Sequence, residues 1–314
     1  MTRIGTSDLD VFPLALGGNV FGWTADEATS FSILDAFVAG GGNLIDTADV
    51  YSAWAPGNRG GESETIIGRW LGARRNRHAL TLITKVSQHP EHRGLKRDTI
   101  HAAVEASLGR LGTDRIDLYL AHFDDASTPL AETIGAFDEL IARGTIRHYG
   151  LSNYTAARIE EAIRIARTNG HALPVAIEPH YNLVHRKTYE SDIAPIAERE
   201  HISTLPYYGL ASGFLTGKYT RSEQPAGARA EAVRRYTNEA GFAVVEALQA
   251  IAAERREEPA TIALAWLVAK PTVAAPIASA SKPSQVASLV AAARVALTAD
   301  ELARLDAVSA PFAR

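Results

Sequence analysis

The sequence of 314 residues contains no cysteine, and this absence excludes two kinds of chemistry. No disulfide framework can form, and no thiolate is available as a nucleophile or as a metal ligand. The chain also lacks an apolar run long enough to cross a bilayer, and its first residues, MTRIGTSDLDVF, lack the apolar core of a signal peptide. We therefore expect a cytoplasmic protein that has no membrane partner.

The sequence also lacks a sustained run of charge of one sign. Acidic and basic residues are interleaved along the chain, and the formal net charge is -4. Because no basic face is available for phosphate backbones, nucleic acid is not an expected partner. Hydrophobic residues make up 46% of the chain and charged residues 22%, as in a globular protein with a large core. The length suits one domain, which we expect to span residues 1–314.

Short apolar runs alternate with longer amphipathic runs, a pattern typical of a parallel sheet with crossover helices. The strand candidates are VFPLALG, NLIDT, ALTLITKV, RIDLYLAH, IRHYGLS, PVAIEP, ISTLPYY and TVAAPIAS. The helical patterns between them are DEATSFSILDAFVAGG, ESETIIGRWLGA, RDTIHAAVEASLGRLG, LAETIGAFDELIARG, TAARIEEAIRIARTNG and APIAERE. We predict an α/β fold, a (β/α)8 TIM barrel with a short N-terminal hairpin and long loops at its C-terminal face. A doubly wound open sheet is the alternative, but no GxGxxG phosphate turn follows a first strand.

Two irregular segments follow predicted strands, SAWAPGNRGG (52–61) and KYTRSEQPAGARAEAVRRYT (218–237). Barrel enzymes build their active sites at the C-terminal ends of the strands, so both segments are candidate substrate or cofactor loops. No fixed repeat, low-complexity tract or interdomain linker interrupts the alternation of strands and helices.

Polar side chains are expected to converge at this face. Asp46, Lys85 and His122 each close a predicted strand, and Tyr51 follows shortly after Asp46. A phenol is a poor acid at neutral pH unless a nearby cation stabilises its anion, and Lys85 can supply that cation. Asp46 would keep the lysine charged, and a neutral His122 could donate a hydrogen bond to a carbonyl oxygen. Taken singly, each residue also has a purely structural interpretation, as a cap, a solvated charge or a packed ring.

Together these four residues would form a proton donor without a nucleophile. The sequence shows no serine or cysteine nucleophile motif beside them and no cluster with metal-ligand spacing. The other reactant must then come from a cofactor, and hydride is the candidate. The predicted chemistry is reduction of a carbonyl group, in which Tyr51 is the general acid.

Motifs along nearly the whole chain resemble those of the aldo-keto reductase family, most closely its bacterial branch related to potassium-channel β-subunits. They run in order through ALGGNVFGW, NLIDTADVYSAWAPGNRGGESETIIGRWL, LITKV, DLYLAHFDD, HYGLSNY, EPHYNLVHR, LPYYGLASGFLTGKY and PIASASKPSQV. In that family the residues matching Asp46, Tyr51, Lys85 and His122 form the catalytic tetrad. The resemblance implies an NADP-dependent oxidoreductase that reduces an aldehyde or ketone to an alcohol, with NADPH/NADP+ as its cofactor.

The resemblance also implies which residues bind the cofactor. Ser152 and Asn153 match residues that bind the nicotinamide carboxamide, and Tyr207 matches a ring that stacks on the nicotinamide. Lys218 and Arg229 match phosphate-binding positions on a loop that covers the cofactor. The GLASG run would lie along the pyrophosphate. The complete implied set adds Gly18, Asn19, Asp46, Glu178, Gly209, Leu210, Ser212, Ser279, Ser281, Lys282 and Gln285.

Several positions depart from the family pattern. Glu178 stands where relatives usually have a glutamine. An ionised Glu178 would favour the cationic NADP+, while the alternatives are a salt bridge with Arg186 or a protonated carboxyl in an apolar site. Ser288 and Leu289 replace the Glu and Asn that relatives use for adenine. The strong basic residues that some relatives use for the 2′-phosphate are absent, which leaves Ser279, Ser281, Lys282 and Gln285. NADPH remains the expected cofactor.

Aromatic residues are expected at the barrel mouth, namely Trp23, Trp54, Phe123 and Tyr181. They would favour carbonyls with apolar or planar substituents, although each could instead pack in the core. A regulatory cofactor-binding protein with slow turnover, like the channel β-subunits, would carry the same tetrad. A barrel lyase or isomerase with Lys85 as a Schiff base is a further alternative, but Tyr51 and Asp46 suit a charged lysine better. The expected partner is a small-molecule carbonyl, and the sequence makes no prediction of oligomeric state.

Overall fold

The chain begins with a short antiparallel hairpin formed by β1 (Thr2–Arg3) and β2 (Asp10–Val11). Residues 1–221 and 230–314 are described by a computed structural model. Asp8, in the turn of the hairpin, pairs with Arg147 at 2.7 Å and with His148 at 2.8 Å. These partners lie near the start of a barrel strand, so the hairpin covers the N-terminal end of the barrel, and the predicted hairpin is confirmed.

Eight parallel strands form the barrel within this described part of the chain. They are β3 (Ala15–Gly17), β4 (Leu44–Asp46), β5 (Thr81–Val86), β6 (Ile116–Ala121), β7 (Ile146–Ser152), β8 (Ala176–Glu178), β9 (Ser203–Thr204) and β10 (Ile277–Ala278). Consecutive strands pair from β3 to β9, and β10 pairs with β3. Backbone hydrogen bonds from Ala274 to Thr204, at 3.0 Å, and from Ile277 to Pro206, at 2.8 Å, join the last two strands. Every strand falls within a predicted apolar run, and the (β/α)8 prediction is confirmed.

Alternation along the strands decides which side chains face the barrel interior. In β4, Leu44 belongs to the inner core and Ile45 packs outward against the helices. Asp46, two residues after Leu44, therefore lies on the inner face at the C-terminal end of the strand. The same alternation places Lys85 and Glu178 on the inner face near the C-terminal ends of β5 and β8. Side-chain alternation along the strands therefore brings these ionisable groups together at the C-terminal mouth of the barrel.

Helices connect the strands and cover the outside of the barrel. Those predicted from the sequence are α1 (Glu27–Ala39), α2 (Glu62–Arg74), α3 (Arg97–Leu111), α4 (Leu130–Ala142), α5 (Ala156–Asn169) and α6 (Ala194–Glu200). Left-handed Gly112 and Gly170 end α3 and α5, as the glycines in the sequence predict. By contrast, α2 and α6 end on Arg75 and His201, which adopt a positive φ without being glycine.

The C-terminal part of the chain contains helices that the sequence analysis did not predict. They are α7 (Ala230–Arg234), α8 (Glu239–Arg255), α9 (Pro259–Val268), α10 (Val286–Ala292) and α11 (Ala299–Val308). Helix α9 is buried on nearly all sides, so it lacks the polar face that marks an amphipathic helix. Within the described residues, no helix combines the length and the apolar character needed to cross a membrane.

Candidate active site

The ammonium group of Lys85 is the centre of a hydrogen-bonded cluster at the C-terminal mouth of the barrel. Its nitrogen lies 2.5 Å from Asp46 Oδ1 and 2.9 Å from the hydroxyl oxygen of Tyr51. The carbonyl oxygen of Thr47, also at 2.9 Å, accepts a further hydrogen bond. Tyr51 in turn donates to Asp46 Oδ2 at 3.2 Å. The structure thus brings three residues of the predicted tetrad together, and Thr47 adds a backbone acceptor that no sequence signal indicates.

Burial and neighbouring charges both shift the pKa values of Lys85 and Tyr51. Burial alone would lower the pKa of Lys85, but Asp46 and the neighbouring Glu178 outweigh burial and raise it, so the group is an ammonium. Burial and then the Asp46 carboxylate raise the pKa of Tyr51 well above its ordinary value, and Lys85 opposes that rise. The sequence argument expects a lowered pKa for Tyr51. The effect of Lys85 has the expected direction, but burial and Asp46 are stronger.

His122 completes the predicted tetrad beside Tyr51. Their ring centroids lie 5.9 Å apart, with 73° between the ring planes. Burial, and then the charge of Lys85, hold the pKa of His122 well below its usual value, so the imidazole is neutral at physiological pH. Its Nδ1 is buried and has no hydrogen-bond partner among the described residues. A neutral imidazole carries one N–H that it can donate, which agrees with the protonation state expected from the sequence.

Asn153 connects the strand ends next to His122. Its amide nitrogen donates to the carbonyl oxygen of His122 at 2.8 Å and to the hydroxyl of Ser152 at 3.0 Å. Its amide oxygen accepts from the hydroxyl of Tyr207 at 2.7 Å. Asn153 has a φ of 58°, a left-handed conformation in which asparagine is enriched. The Asn153 amide therefore already holds its neighbours in position, and its oxygen keeps one lone pair for a ligand.

Tyr207 belongs to a column of stacked rings that the sequence analysis did not predict. Its ring centroid lies 5.3 Å from that of His180, with 21° between the planes, and His180 stacks on His185 at 3.8 Å. Burial lowers the pKa of His180 to about 3, so its ring is uncharged. The two histidines of the EPHYNLVHR run are the sequence signal that could have indicated this column. One face of Tyr207 is thereby covered by protein.

The loops that follow β3 and β10 are joined by a side-chain hydrogen bond. The hydroxyl of Ser279 donates to Asn19 Oδ1 at 2.6 Å. A Cβ on Gly17 would lie 2.6 Å from that hydroxyl, so the two loops can approach this closely only because Gly17 has no side chain. Ser279 and Asn19 thus lie together, as the implied cofactor contacts require.

Two other glycines of the implied cofactor set have packing roles in the structure. A Cβ on Gly18 would lie 2.7 Å from the hydroxyl of Ser63, and a Cβ on Gly209 would lie 2.9 Å from Leu264 Cδ2. The N–H of Gly18 donates to the carbonyl of Asp46 at 2.7 Å. Close packing therefore explains why each of these two positions is a glycine, and the explanation needs no bound ligand.

The segment after β9 changes from right-handed to left-handed backbone. Leu210 has a φ of -101°, and the following Ala211 and Ser212 have φ values of 48° and 59°. Within this turn the N–H of Ala211 donates to the carbonyl of Tyr208 at 2.7 Å, and the N–H of Gly213 donates to the carbonyl of Leu210 at 2.8 Å. The ammonium of Lys218 lies 3.4 Å from the position that a Cβ of Gly213 would occupy. The structure thus places a positive charge beside the segment implied for the pyrophosphate.

The loop after β10 is organised by the side chain of Gln285. Its Oε1 accepts hydrogen bonds from the backbone N–H of Ser281 at 2.8 Å and of Lys282 at 3.2 Å. Lys282 itself is exposed and lines an open cavity of about 810 Å³ together with Trp23. Of the residues expected near the 2′-phosphate, Lys282 is therefore the charged one that the structure describes at this loop. Arg229 lies outside the described residues.

Glu178 ends β8 and lies inside the same cluster as Lys85. Its Oε1 is 3.6 Å from the Lys85 nitrogen, and its Oε2 is buried without a hydrogen-bond partner among the described residues. Burial raises the pKa of Glu178 from 4.5 to about 8, and Lys85 opposes the rise. Arg186 pairs with Glu190 at 2.8 Å. The salt bridge between Glu178 and Arg186 is therefore wrong, and the alternative of a protonated carboxyl agrees with the structure.

Aromatic side chains form a wall on one side of Tyr51. The ring of Trp54 lies 6.1 Å from that of Tyr51, and Trp23 contacts Trp54 edge to face at 5.8 Å. Phe123 lies 5.1 Å from the ring of His122. Trp54 is 49% exposed and Phe123 is 42% exposed, which leaves apolar surface free at the mouth.

Tyr181 does not belong to this wall; of the two interpretations that the sequence leaves open, packing in the core is the one that the structure shows. Its ring is buried and packs against Tyr189 at 4.1 Å and Trp266 at 5.3 Å. Its hydroxyl donates to Glu190 at 2.7 Å. Tyr181 follows the end of β8 closely, so sequence position suggested the mouth, but the chain turns its ring outward into the helical layer.

Comparisons with known proteins show the family to which this chain belongs. A family model described as Aldo/keto reductase family matches residues 13–310. The chain is 33% identical to Protein tas of Escherichia coli, over 98% of this chain and 96% of that protein. It is 32% identical to a protein named Probable voltage-gated potassium channel subunit beta from Oryza sativa subsp. japonica, over 98% and 95% of the two chains.

A third relative is named Norsolorinic acid reductase, from Aspergillus flavus. It is 29% identical to this protein over 94% of this chain and 77% of its own length. The family match covers the barrel from β3 through α11. The chain therefore belongs to the aldo/keto reductase family.

Proposed function

We propose that this protein is an NADPH-dependent oxidoreductase that reduces an aldehyde or a ketone to an alcohol, with Tyr51 as the general acid. Family membership supports oxidoreduction with a nicotinamide cofactor in general. The observation that carries the finer proposal is the Lys85 ammonium, which donates both to Asp46 at 2.5 Å and to Tyr51 at 2.9 Å. Within this arrangement the Lys85 ammonium is the group that stabilises a Tyr51 phenolate, against the effects of burial and Asp46, and the cluster provides no nucleophile of its own.

The residues at the mouth fit a nicotinamide dinucleotide. The half-buried ring of Tyr207 has one face against His180, which leaves the other for a planar ring. Glu178 Oε2 and His122 Nδ1 are buried polar atoms that the described residues leave without partners. The ammonium of Lys218, beside the turn at residues 210–213, suits a pyrophosphate. When bound, this cofactor supplies the hydride that the side chains lack.

Tyr51 is the residue that transfers the proton in this proposal. Its hydroxyl donates to Asp46 Oδ2 at 3.2 Å, a long hydrogen bond that rotation of the hydroxyl can exchange for a substrate oxygen. Lys85 already donates to the same hydroxyl oxygen, so it stabilises the phenolate that remains after the transfer. Asp46 keeps Lys85 charged and holds it in place.

His122 has a different role from Tyr51 in the proposed reaction. Because it is neutral, it donates an N–H to the carbonyl oxygen and polarises the C=O bond without giving up a proton. Asn153 donates to the backbone carbonyl of His122 at 2.8 Å, so it positions this residue beside Tyr51.

The aromatic wall supports one class of substrate in this proposal. Trp23, Trp54 and Phe123 lie beside the proton donor, and their exposed ring surfaces favour carbonyls with planar or apolar substituents over small polar ones.

A steady-state screen of NADPH oxidation tests the proposal, with aliphatic aldehydes, aromatic aldehydes, ketones, quinones and sugars as substrates. We expect sustained turnover with aromatic or bulky apolar carbonyls, and loss of that turnover in Tyr51→Phe. The absence of NADPH oxidation with every carbonyl class, in protein that binds NADPH, would contradict the proposal.

A regulatory cofactor-binding protein is the second candidate, because one relative is named as a channel subunit. A regulatory protein would carry out a single hydride transfer for each bound cofactor and would then release the oxidised cofactor very slowly. A stopped-flow record distinguishes the candidates: a burst equal to the enzyme concentration without steady turnover favours the regulatory protein, whereas continued turnover favours the reductase.

A further inference from the structure

Glu178 is a buried carboxyl that lies close to a cation but beyond ordinary hydrogen-bond distance from it. It is 2% exposed, and its Oε1 lies 3.6 Å from the Lys85 nitrogen. An ammonium has three N–H groups, and Lys85 directs them to Asp46, to the hydroxyl of Tyr51 and to the carbonyl of Thr47. No N–H of Lys85 therefore remains for Glu178 within this described cluster.

The cluster holds more carboxyl groups than cations. Lys85 is the cation that the structure describes within contact of Asp46 and of Glu178. If both carboxyls were ionised, one negative charge would be buried without compensation, which costs several kcal/mol. One of the two carboxyls therefore keeps its proton and stays neutral.

The hydrogen bonds decide which carboxyl holds the proton. Burial raises the pKa of both groups, but Lys85 and Tyr51 both donate to Asp46 and stabilise its ionised form. Glu178 Oε2 has no partner among the described residues. The pKa of Glu178 is raised to about 8, mainly by burial, so this group is protonated at neutral pH.

The groups that face Glu178 come from four parts of the mouth. Lys85 faces it from β5, Asp46 from β4, Tyr51 from the loop after β4 and Tyr207 from the segment after β9. The pKa values of Tyr51 and Tyr207 are raised, so both phenols are neutral at physiological pH. Glu178 is therefore the group of this set whose charge changes near neutral pH.

We propose that Glu178 is a proton-linked sensor of the cofactor's redox state: it keeps its proton when NADPH binds and releases that proton to solvent when NADP+ binds. This inference rests on the proposed function, because it takes the nicotinamide to lie against Tyr207 and Glu178. When NADP+ binds, one positive charge enters the site with the nicotinamide ring and one proton leaves it, so the net charge of the site is unchanged.

Charge and hydrogen bonding both favour this exchange. The nicotinamide ring is cationic only in NADP+, and an ionised Glu178 attracts that charge in a site of low dielectric. Beside the uncharged ring of NADPH, a protonated Glu178 keeps one O–H donor and one carbonyl acceptor, which match the two roles of a glutamine amide. One residue thus suits both redox states of the cofactor through the gain or loss of a proton.

Calorimetry of cofactor binding tests the inference without any turnover. NADP+ and NADPH are each titrated into the protein near pH 7, in two buffers with different ionisation enthalpies, and the difference gives the protons released. For the wild type we expect about half to one proton released for each NADP+ bound, and less than about 0.2 for each NADPH. In Glu178→Gln both values should fall below about 0.2.

Two further variants separate Glu178 from other proton sources. Tyr51→Phe should keep the release seen with NADP+, because the proton does not come from the phenol. Glu161→Gln, which removes an exposed carboxyl paired with Arg158 on α5, is the matched control and should also keep it. Release that persists in Glu178→Gln, or that is lost in Tyr51→Phe alone, overturns the assignment to Glu178.

The wild type alone provides a second measurement should Glu178→Gln fail to fold. Between about pH 6 and about pH 8, the affinity for NADP+ relative to NADPH should rise at least about tenfold. An affinity ratio that does not change with pH overturns the inference even if both cofactors bind. Failure of both cofactors to bind contradicts the proposed function itself, and the inference with it.

Discussion

The ammonium nitrogen of Lys85 lies 2.9 Å from the hydroxyl oxygen of Tyr51, and Asp46 contacts both groups. Burial and Asp46 raise the pKa of Tyr51, whereas Lys85 lowers it. The readiness of Tyr51 to release its proton therefore depends on the balance between the Lys85 ammonium and the Asp46 carboxylate.

Replacing Lys85 with methionine should shift the pH dependence of carbonyl reduction as well as its rate. Loss of the cation removes the contribution that lowers the pKa of Tyr51, so the apparent pKa of the proton-transfer step should rise. We expect reduction to slow by about 10²-fold or more. The exposed Lys187 provides a matched control, since Lys187→Met should leave the profile unchanged. A pH–rate profile of Lys85→Met with lower rates but an unchanged apparent pKa would count against the coupling between Lys85 and Tyr51.

The cofactor preference can be tested at the loop after β10. We expect tighter binding of NADPH than of NADH, with the 2′-phosphate held at Ser281, Lys282 and Gln285. Because Lys282 is exposed, Lys282→Met should weaken NADPH binding by only about twofold to about fivefold, and salt should reduce the effect. Binding of NADH should not change. Equal dissociation constants of the wild type for the two cofactors at low ionic strength would show that no 2′-phosphate site exists.

Replacing Glu178 with glutamine should change how stability depends on pH in the absence of cofactor. The folded state raises the pKa of Glu178 from 4.5 to about 8, so between these values it binds a proton that the unfolded state has lost. Wild-type stability is therefore lost progressively as the pH rises through this range. Relative to wild type, Glu178→Gln should gain about 1 kcal/mol or more between about pH 5 and about pH 8. Urea unfolding at several pH values measures this gain. A constant difference across the range would mean that Glu178 does not hold the proton.

The aromatic wall predicts a selective effect on substrate affinity. Trp54→Ala should raise the KM for aromatic aldehydes by about threefold to about tenfold, because it removes a stacking surface beside Tyr51. The KM for small aliphatic aldehydes should change little. Leu173→Ala, which removes an exposed apolar side chain outside the site, serves as the control. Equal changes in KM for both classes of aldehyde would argue against a substrate-binding role for Trp54.

The barrel and the tetrad could be predicted from the sequence because they depend on local patterns. Each strand is a short apolar run, and strand alternation places Asp46 and Lys85 on the inner face at the same end. Helix α9 could not be predicted in the same way, since a helix buried on all sides shows no amphipathic period. The sequence left the position of Tyr181 open because position along the chain does not determine whether a ring turns inward or outward after a strand.

The contact between Glu178 and Lys85 depends instead on closure of the barrel. These residues end β8 and lie in β5, strands that are separated in the sheet by β6 and β7. Only curvature of the sheet brings their side chains to 3.6 Å across the interior, and no pairing rule for neighbouring strands contains that information. Likewise, the backbone carbonyl of Thr47 accepts a hydrogen bond from Lys85. Every residue type has such a carbonyl, so the sequence does not indicate this contact.

The central claim is that Tyr51 donates the proton, and single-turnover reduction by Tyr51→Phe tests it most directly. Enzyme saturated with NADPH is mixed with an aromatic aldehyde, and NADPH absorbance is followed in the stopped-flow instrument. We predict that the affinity for NADPH stays within about threefold of wild type, while the transfer step slows by about 10²- to 10⁴-fold, the contribution of general acid catalysis. A Tyr51→Phe variant that keeps more than about half of the wild-type rate for this step, far above that range, would contradict the account.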